Sequence, residues 1–427
     1  MSDWQQISLG DFQAPVRHKA TIPIQGSRVP ASDWQQISLG DLLTRVRRKV
    51  AVEDGVTHPA VSVQMYGRGL GEKEPFVGGV SKYTTLNMVR EKDVVLRTIT
   101  AFEAPAGVAR AEHDRTHVSG VFITYEVDQR ALPGLLGLYF QTPAFWDEMQ
   151  NRASGTVLRR KTISDSSFRA IPFALPPLPT QKRIVEVISA IDDQITALDA
   201  EAGALTAVLR HRRADLITDD SNEAVRAEHA FDFSTGVRRT PDRATGPYMT
   251  PYLRSANVGY GTLDLSDVLE MNYDPAERKK FGLQYGDVVV SEGSASANAV
   301  GMPAMWRDEL PAPVCTQMTL LRLRALEGVC IPEFVFHWSM WAYESRAFLD
   351  VAGGTNIKHI SAKRAKGMAV RLPSLDRQRE MVVELDAMES ALKATRTEAA
   401  LLRDTRARLL SGLLDRTINI ESAELEV

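Results

Sequence analysis

Apolar residues recur at alternating steps of four and three through two long stretches of this chain. In the first, about Thr180 to Thr218, they fall at Ile184, Ile188, Ile191, Ile195, Leu198, Ala202, Leu205, Leu209 and Leu216. In the second, about Arg377 to Asp415, the positions shifted by 197 are Met381, Leu385, Met388, Leu392, Thr395, Ala399, Leu402, Arg406 and Leu413. A 3.5-residue spacing is the seam of a coiled coil. Both stretches are therefore predicted as long helices, each ~58 Å at 1.5 Å per residue. Matching seams in two halves of one chain indicate an internal duplication.

The duplication continues upstream of both helices. Leu175-Pro176-Pro177-Leu178 precedes the first and Leu372-Pro373-Ser374-Leu375 the second, and Gln181 matches Gln378. Prolines are tolerated at a helix start because the first N–H groups have no intrahelical partner. Lys92-Asp93-Val94-Val95 parallels Gly286-Asp287-Val288-Val289, Gly155-Thr156 parallels Gly354-Thr355, and Thr162-Ile163-Ser164 parallels His359-Ile360-Ser361. Near the start of each half, Asp41, Thr44, Val46, Arg47 and Arg48 align with Asp232, Thr235, Val237, Arg238 and Arg239. A separate repeat lies at the N-terminus, where Ser2 to Asp11 recurs identically as Ser32 to Asp41. Only one copy can fill one structural slot, and the copy at Ser32 is contiguous with the domain.

Each half reads as a globular head followed by a long helix. Strand-type runs such as Val121 to Val127 and Met318 to Leu323 alternate with turn-rich loops, and short helices are predicted near Pro143 to Arg152 and Pro332 to Asp350. The predicted fold class is mixed α/β (α+β): two pseudo-repeated heads separated by two long antiparallel coiled-coil helices. Its parts are an arm (1–31), a first head (32–178), a first spacer helix (179–218), a second head (225–375), a second spacer helix (376–416) and a tail (417–427). The second helix buries its seam most simply by returning along the first, with Arg406, Arg212 and Thr395 as polar interruptions that set register. The expected shape is a dumbbell of two unlike heads. Such an object suits a duplex, each head reading a different half of an asymmetric, bipartite target.

Composition adds limits. The chain has 427 residues, 44% hydrophobic and 25% charged, with a net charge of −3, so a nucleic-acid partner requires basic residues gathered locally. Cys315 and Cys330 are too few for a disulfide framework or zinc site, and are expected as reduced, buried thiols. The polar start and the lack of a long apolar run predict a cytoplasmic protein outside any membrane.

Candidate DNA-contacting residues come from basic runs at matched places. Arg159, Arg160 and Lys161 follow the glycine turn of the first half; Lys358, His359, Lys363, Arg364 and Lys366 follow that of the second. Equivalent basic runs after equivalent turns point to phosphate contact. Arg47, Arg48 and Lys49, with Arg238 and Arg239, add to them. The loop carrying Ser294, Ser296 and Asn298 is small and polar enough to approach a groove.

Catalytic signatures are missing. No Asn/Asp-Pro-Pro-aromatic loop for amino-methyl transfer occurs, and no Gly-rich loop ends in Gly-Lys-Ser/Thr. Gly67-Arg68-Gly69-Leu70-Gly71 reads as a turn. The histidines, among them His113, His117 and His337, lack catalytic or metal spacing. The chain is expected to recognise rather than catalyse, with no catalytic, cofactor-binding or metal residues of its own.

In its Trp34 with Leu39-Gly40-Asp41, its Asp-Val-Val strands, Gly354-Thr355-Asn356-Ile357, and the Leu-Pro helix starts ending in Gln181 and Gln378, the chain resembles the DNA specificity subunit of type I restriction–modification systems. The resemblance spans roughly residues 32–416. It implies two target recognition domains that each read one half-site of double-stranded DNA, and helices that dock two adenine-methylating subunits. Those partners would use S-adenosylmethionine, and a motor–nuclease subunit of the restriction complex would use ATP and Mg. The arm 1–31 is outside the family pattern, and the second head keeps only Ala230-Phe231-Asp232 of the usual opening. A stand-alone coiled-coil DNA-binding regulator or scaffold is the competing reading.

Overall fold

The computed structural model describes residues 33–157, 160–294, 296, 298–354, 358–418 and 420. The expected arm 1–31 lies outside them, as does most of the tail. The chain divides into two compact units, one of residues 1–196 with 400–427 and one of residues 197–399. Each unit thus holds one head, half of one long helix and half of the other.

The long helices run Leu178–Ile217 and Leu375–Leu414, so both their ends are offset by 197, as the seam predicts. The first begins two residues before the predicted start and places Pro179 in its first turn, where a missing N–H costs nothing. Within the first unit, Ile184 and Ile188 share a core with Leu410 and Leu413, and Arg406 grips Asp192 through both guanidinium edges. An early turn of one helix meets a late turn of the other, so the pairing is antiparallel. Within the second unit the order is reversed in the same sense: Arg212 pairs with Glu384, and Leu209 and Leu216 join the core of Met381 and Leu385. Arg406 and Arg212 do interrupt the seam as expected, each consumed by a carboxylate of the facing helix.

In the first unit, strand Gln35–Ser38 pairs antiparallel with Pro172–Leu175, immediately before the long helix. A four-stranded antiparallel sheet follows in the order Leu43–Val46, Phe122–Val127, Val94–Arg97, Ala106–Val108. Its inner face, with Phe140, Phe145 and Phe168 from the loops and short helices, builds the core onto which Ile184 packs. A five-stranded sheet holds Lys49–Ala51, Thr85–Met88, His117–Val118, Thr57–Val63 and Leu70–Val77. There His117 and His58 are buried edge to face, 5.0 Å apart, and burial pushes the His117 pKa down.

The second unit repeats the plan. Glu223–Arg226 pairs with Ala369–Leu372, and the four-stranded sheet runs Phe231–Thr235, Leu320–Ala325, Val288–Ser291, Pro303–Met305. A three-stranded sheet of Leu269–Asn272, Met249–Leu253 and Cys315–Thr316 replaces the five-stranded one. Cys315 and Cys330 are both buried and free, and burial raises both thiols, Cys315 to about 12. The helix predicted from Pro332 to Asp350 is broken into Pro332–Glu344 and Ala347–Asp350, because Arg346 adopts a left-handed conformation at φ 68°.

One sequence alignment shifts. The Leu39 amide donates to Ile171 and the Leu42 carbonyl accepts from Asp128; the matching bonds in the second unit are Ala227 to Met368 and Leu326 to Ala230. Leu39 therefore corresponds to Ala227, and Leu43 to Phe231. Arg238 and Arg239 stand three residues beyond the true counterparts of Arg47 and Arg48. The resemblance of Ala230-Phe231-Asp232 to Leu39-Gly40-Asp41 misplaced the register, and the second head opens at strand Glu223–Arg226.

Gln181 and Gln378 are fully buried and make the same three bonds. The Gln181 carbonyl accepts from the Leu132 amide while its amide donates to Arg130 and Pro176 carbonyls. Gln378 accepts from Ile331 and donates to Val329 and Pro373. Replacing either by Leu strands three backbone groups, and the expected loss is on the order of 3 kcal/mol of stability in denaturant unfolding. A loss within experimental error at both positions would show that these bonds do not anchor the helices.

Candidate nucleic-acid interface

Each unit builds one basic loop by the same local rules. In the first, Ser154 and Thr162 exchange both backbone hydrogen bonds, at 2.9 and 2.8 Å, which closes the loop between them. Gly155, at φ 127°, turns the chain outward in a region closed to other residues. Ile163 N–H then donates to the Thr98 carbonyl, and the Ser164 hydroxyl caps helix Asp165–Arg169. In the second unit Gly353 and His359 exchange bonds of 2.9 and 2.8 Å, and Gly354 turns at φ 108°. Ile360 N–H donates to Glu292, and Ser361 caps helix Ala362–Lys366. The predicted pairing of Thr162-Ile163-Ser164 with His359-Ile360-Ser361 is this shared closure and cap.

The structure gathers the second unit's candidates. Strand Gly293–Ser294 pairs with Lys358–His359, Ser294 opposite Lys358, so the Ser-rich loop and the basic run share one small sheet. A Cβ on Gly293 would come within 2.3 Å of the His359 ring, so a larger residue here would displace that side chain. Glu292 lies half-buried below; burial raises its pKa and His359 opposes that shift. His359, Lys363 and Arg364 are exposed, Lys358 and Lys366 half-buried, and Arg364 folds over Gly353 to reach the Val351 carbonyl at 3.3 Å. Ser296 and Asn298 are exposed, and the Asn298 carbonyl accepts from the Tyr343 hydroxyl at 2.6 Å. In the first unit Arg160 is exposed and Lys161 half-buried, while Arg159 lies outside the described residues.

The remaining candidates divide by what they touch. Arg48 is committed: its guanidinium holds the buried Asp93 at 2.5 Å and Glu126 at 2.7 Å. Asp93 also takes the Arg90 amide at 2.9 Å, which explains the Asp of the Asp-Val-Val run as a turn-closing carboxylate. Asp287 repeats this with the Gln284 amide and Arg324. Arg47, Lys49, Arg238 and Arg239 are exposed, and among the described residues none has an ion-pair partner. Gly236, just before Arg238 in the chain, lies so close to the Thr316 carbonyl that a Cβ would meet it at 2.0 Å. Sequence reasoning missed two arginines beside the Ser-rich loop, Arg210 and Arg346, which face one cleft with Asn298. No spacing links residues so far apart in the chain.

Comparison with known proteins shows what the arrangement resembles. Residues 31–203 match the family described as the type I restriction modification DNA specificity domain. Residues 31–203, the first head and the opening part of the first long helix, are thus similar to the specificity domain of type I restriction–modification systems. It is 20% identical over 329 residues to the type I restriction enzyme EcoKI specificity subunit of Escherichia coli (strain K12), covering 71% of this chain and 70% of that protein. A chain solved in work on complex assembly and conformational transition of the type I R-M system has the same fold, with a TM-score of 0.64 at 16% identity, over 92% of this chain and 98% of that one. The type I S subunit from M. genitalium superposes with a TM-score of 0.51 at 13% identity, over 91% and 98%. Among the described residues no helix is long and apolar enough to cross a membrane, and no group of three metal-type ligands occurs.

Arg47 is exposed where Arg48 is held inside the fold, and the two substitutions are expected to differ accordingly. Arg48→Gln leaves the Asp93 carboxylate buried without its cation and is expected to lower stability by about 3 kcal/mol in chemical denaturation. Arg47→Gln is expected to leave stability unchanged and to reduce the salt dependence of DNA binding. Equal effects of both on unfolding would refute the division.

Proposed function

We propose that this chain is the non-catalytic sequence reader of a type I restriction–modification complex, each head reading one half of a split, asymmetric double-stranded DNA target. The observation that carries the reading is the duplicated loop: the same backbone closure and serine cap in both units display unlike side chains, Arg160 and Lys161 in one and Lys358, His359 and Lys363 in the other. A common scaffold with different displayed residues suits two half-sites of different sequence. Cations on the loops hold phosphates, which positions the head without reading bases. The long helices serve as spacer and as docking surface for two methyltransferase subunits. The chain works with these partners in the cytoplasm.

Exchanging residues 223–372 for the corresponding head of a relative tests this directly, with methylated adenines mapped genome-wide in cells carrying the methyltransferase. The expected outcome is a methylated sequence changed in one half and unaltered in the other. Change in both halves contradicts independent heads, and failure of the chain to recover a methyltransferase from the cells favours a stand-alone regulator.

A further inference from the structure

A cleft in the second unit, lined by Arg210, Asn298, Val300, Tyr343, Glu344 and Arg346, has a volume of about 160 Å³. Organic cofactor sites occupy roughly 300–1,000 Å³, so this space suits a single small polar group. Its charges are unequal. Glu344 is nearly buried, and its carboxylate is already occupied: the Arg213 guanidinium donates to it at 2.6 Å and the Tyr260 hydroxyl donates as well. Arg213 is fully buried and spends its other edge on Glu389 at 2.6 Å. The Glu344 carboxylate therefore has its hydrogen bonds satisfied from below, while the single charge of Arg213 is shared between Glu344 and Glu389 and Arg210 balances the remainder.

Arg210 and Arg346 remain at the surface. Arg210 is half exposed, 3.7 Å from Glu344, with its guanidinium over the Tyr260 ring at 5.6 Å. Arg346 is exposed, and among the described residues its side chain has no ion-pair or hydrogen-bond partner. Its φ of 68° is unfavourable for an arginine. The residue follows the end of helix Pro332–Glu344, where a left-handed residue closes the last turn and its amide donates to the Tyr343 carbonyl.

The cleft also shares a chain segment with the basic loop. Asn298 and Val300 on its wall belong to the segment whose beginning, Gly293–Ser294, pairs with Lys358–His359. One short stretch of chain carries the candidate interface at one end and the two-arginine cleft at the other. We propose that Arg210 and Arg346 together clamp one phosphate of the bound duplex, fixing the second head on the backbone without reading a base. Two guanidinium groups converging on one anion form charge-assisted hydrogen bonds of the kind phosphate recognition uses. The inference rests on the DNA-reading function proposed above.

The test uses the full chain in its methyltransferase complex. Arg346→Asn keeps a residue that tolerates the left-handed conformation, so its fold is preserved, and Arg210→Gln keeps a hydrogen-bonding side chain. Loss of one phosphate contact is expected to flatten the plot of log affinity against log salt by ~0.9 in the double variant, a change of about 3.5-fold in relative affinity between 50 and 200 mM salt. The methylated sequence should be unchanged, and Tm of Arg346→Asn should be equal to or above that of the parent. An unaltered salt slope in variants of a complex that otherwise binds and methylates DNA overturns the clamp alone; a parent complex that binds no DNA overturns the function on which it rests. Stabilisation of the parent but not the variants by inorganic phosphate, with DNA binding unaffected, would assign the cleft to a free anion and also overturn the proposal.

Discussion

A single buried carboxamide decides where each long helix leaves its head. Gln181 and Gln378 sit in the first turn of their helices, fully buried, and each satisfies one amide and two carbonyls of the chain around it. An amide side chain offers both donors and an acceptor, so no apolar or acidic residue of similar size completes the same set. Because a stranded backbone group is costly in a dry interior, the glutamine fixes the helix start to the loop before the helix Pro133–Tyr139 or Pro332–Glu344. The strand pairs Gln35–Ser38 with Pro172–Leu175 and Glu223–Arg226 with Ala369–Leu372 then deliver the chain to that point.

Within each unit the two helix halves are held by apolar contact and aligned by charge. In the first unit the positions corresponding to Arg212 and Glu384 are Leu409 and Val187, which pack against the head core. In the second, those positions form an ion pair. Conversely, Arg406 and Asp192 pair in the first unit, while Leu209 is apolar in the second and Glu389 turns to Arg213. A paired charge in a half-buried seam adds little net stability but penalises every other register, which leaves a carboxylate uncompensated. The duplicated halves have diverged in which residues do this while keeping the geometry.

Much of this arrangement was legible from residue pattern. The heptad seam located both helices to within two or three residues, because a 3.5-residue period is imposed by packing along the whole length. The Gly-Thr turns and Ile-Ser closures located the loops, because a positive φ and a helix cap each demand particular residues. The break at Arg346 carried no such mark: an arginine in a left-handed conformation is held by the fold around it, and composition alone predicts one continuous helix. Arg48 looked like its neighbours in a basic triplet, and only the tertiary position of Asp93 shows that it is spent inside the protein. The opening of the second head was misaligned by three residues because Asp232 resembles Asp41 in type while standing at the place of Thr44.

The two loops thus share a frame fixed by backbone bonds and differ in what the frame presents. On the proposed function, such a design would separate anchoring from reading, with cations on a common frame holding phosphates and unlike neighbours discriminating among sequences. Phosphate-ethylation interference on the complex with its target DNA tests this account most directly. Two separate clusters of sensitive phosphates are expected, with Arg160→Gln and Lys161→Gln removing one cluster and Lys358→Gln and Lys363→Gln removing the other. If either pair of substitutions erased both clusters, the heads would not engage the duplex independently and the account would be wrong.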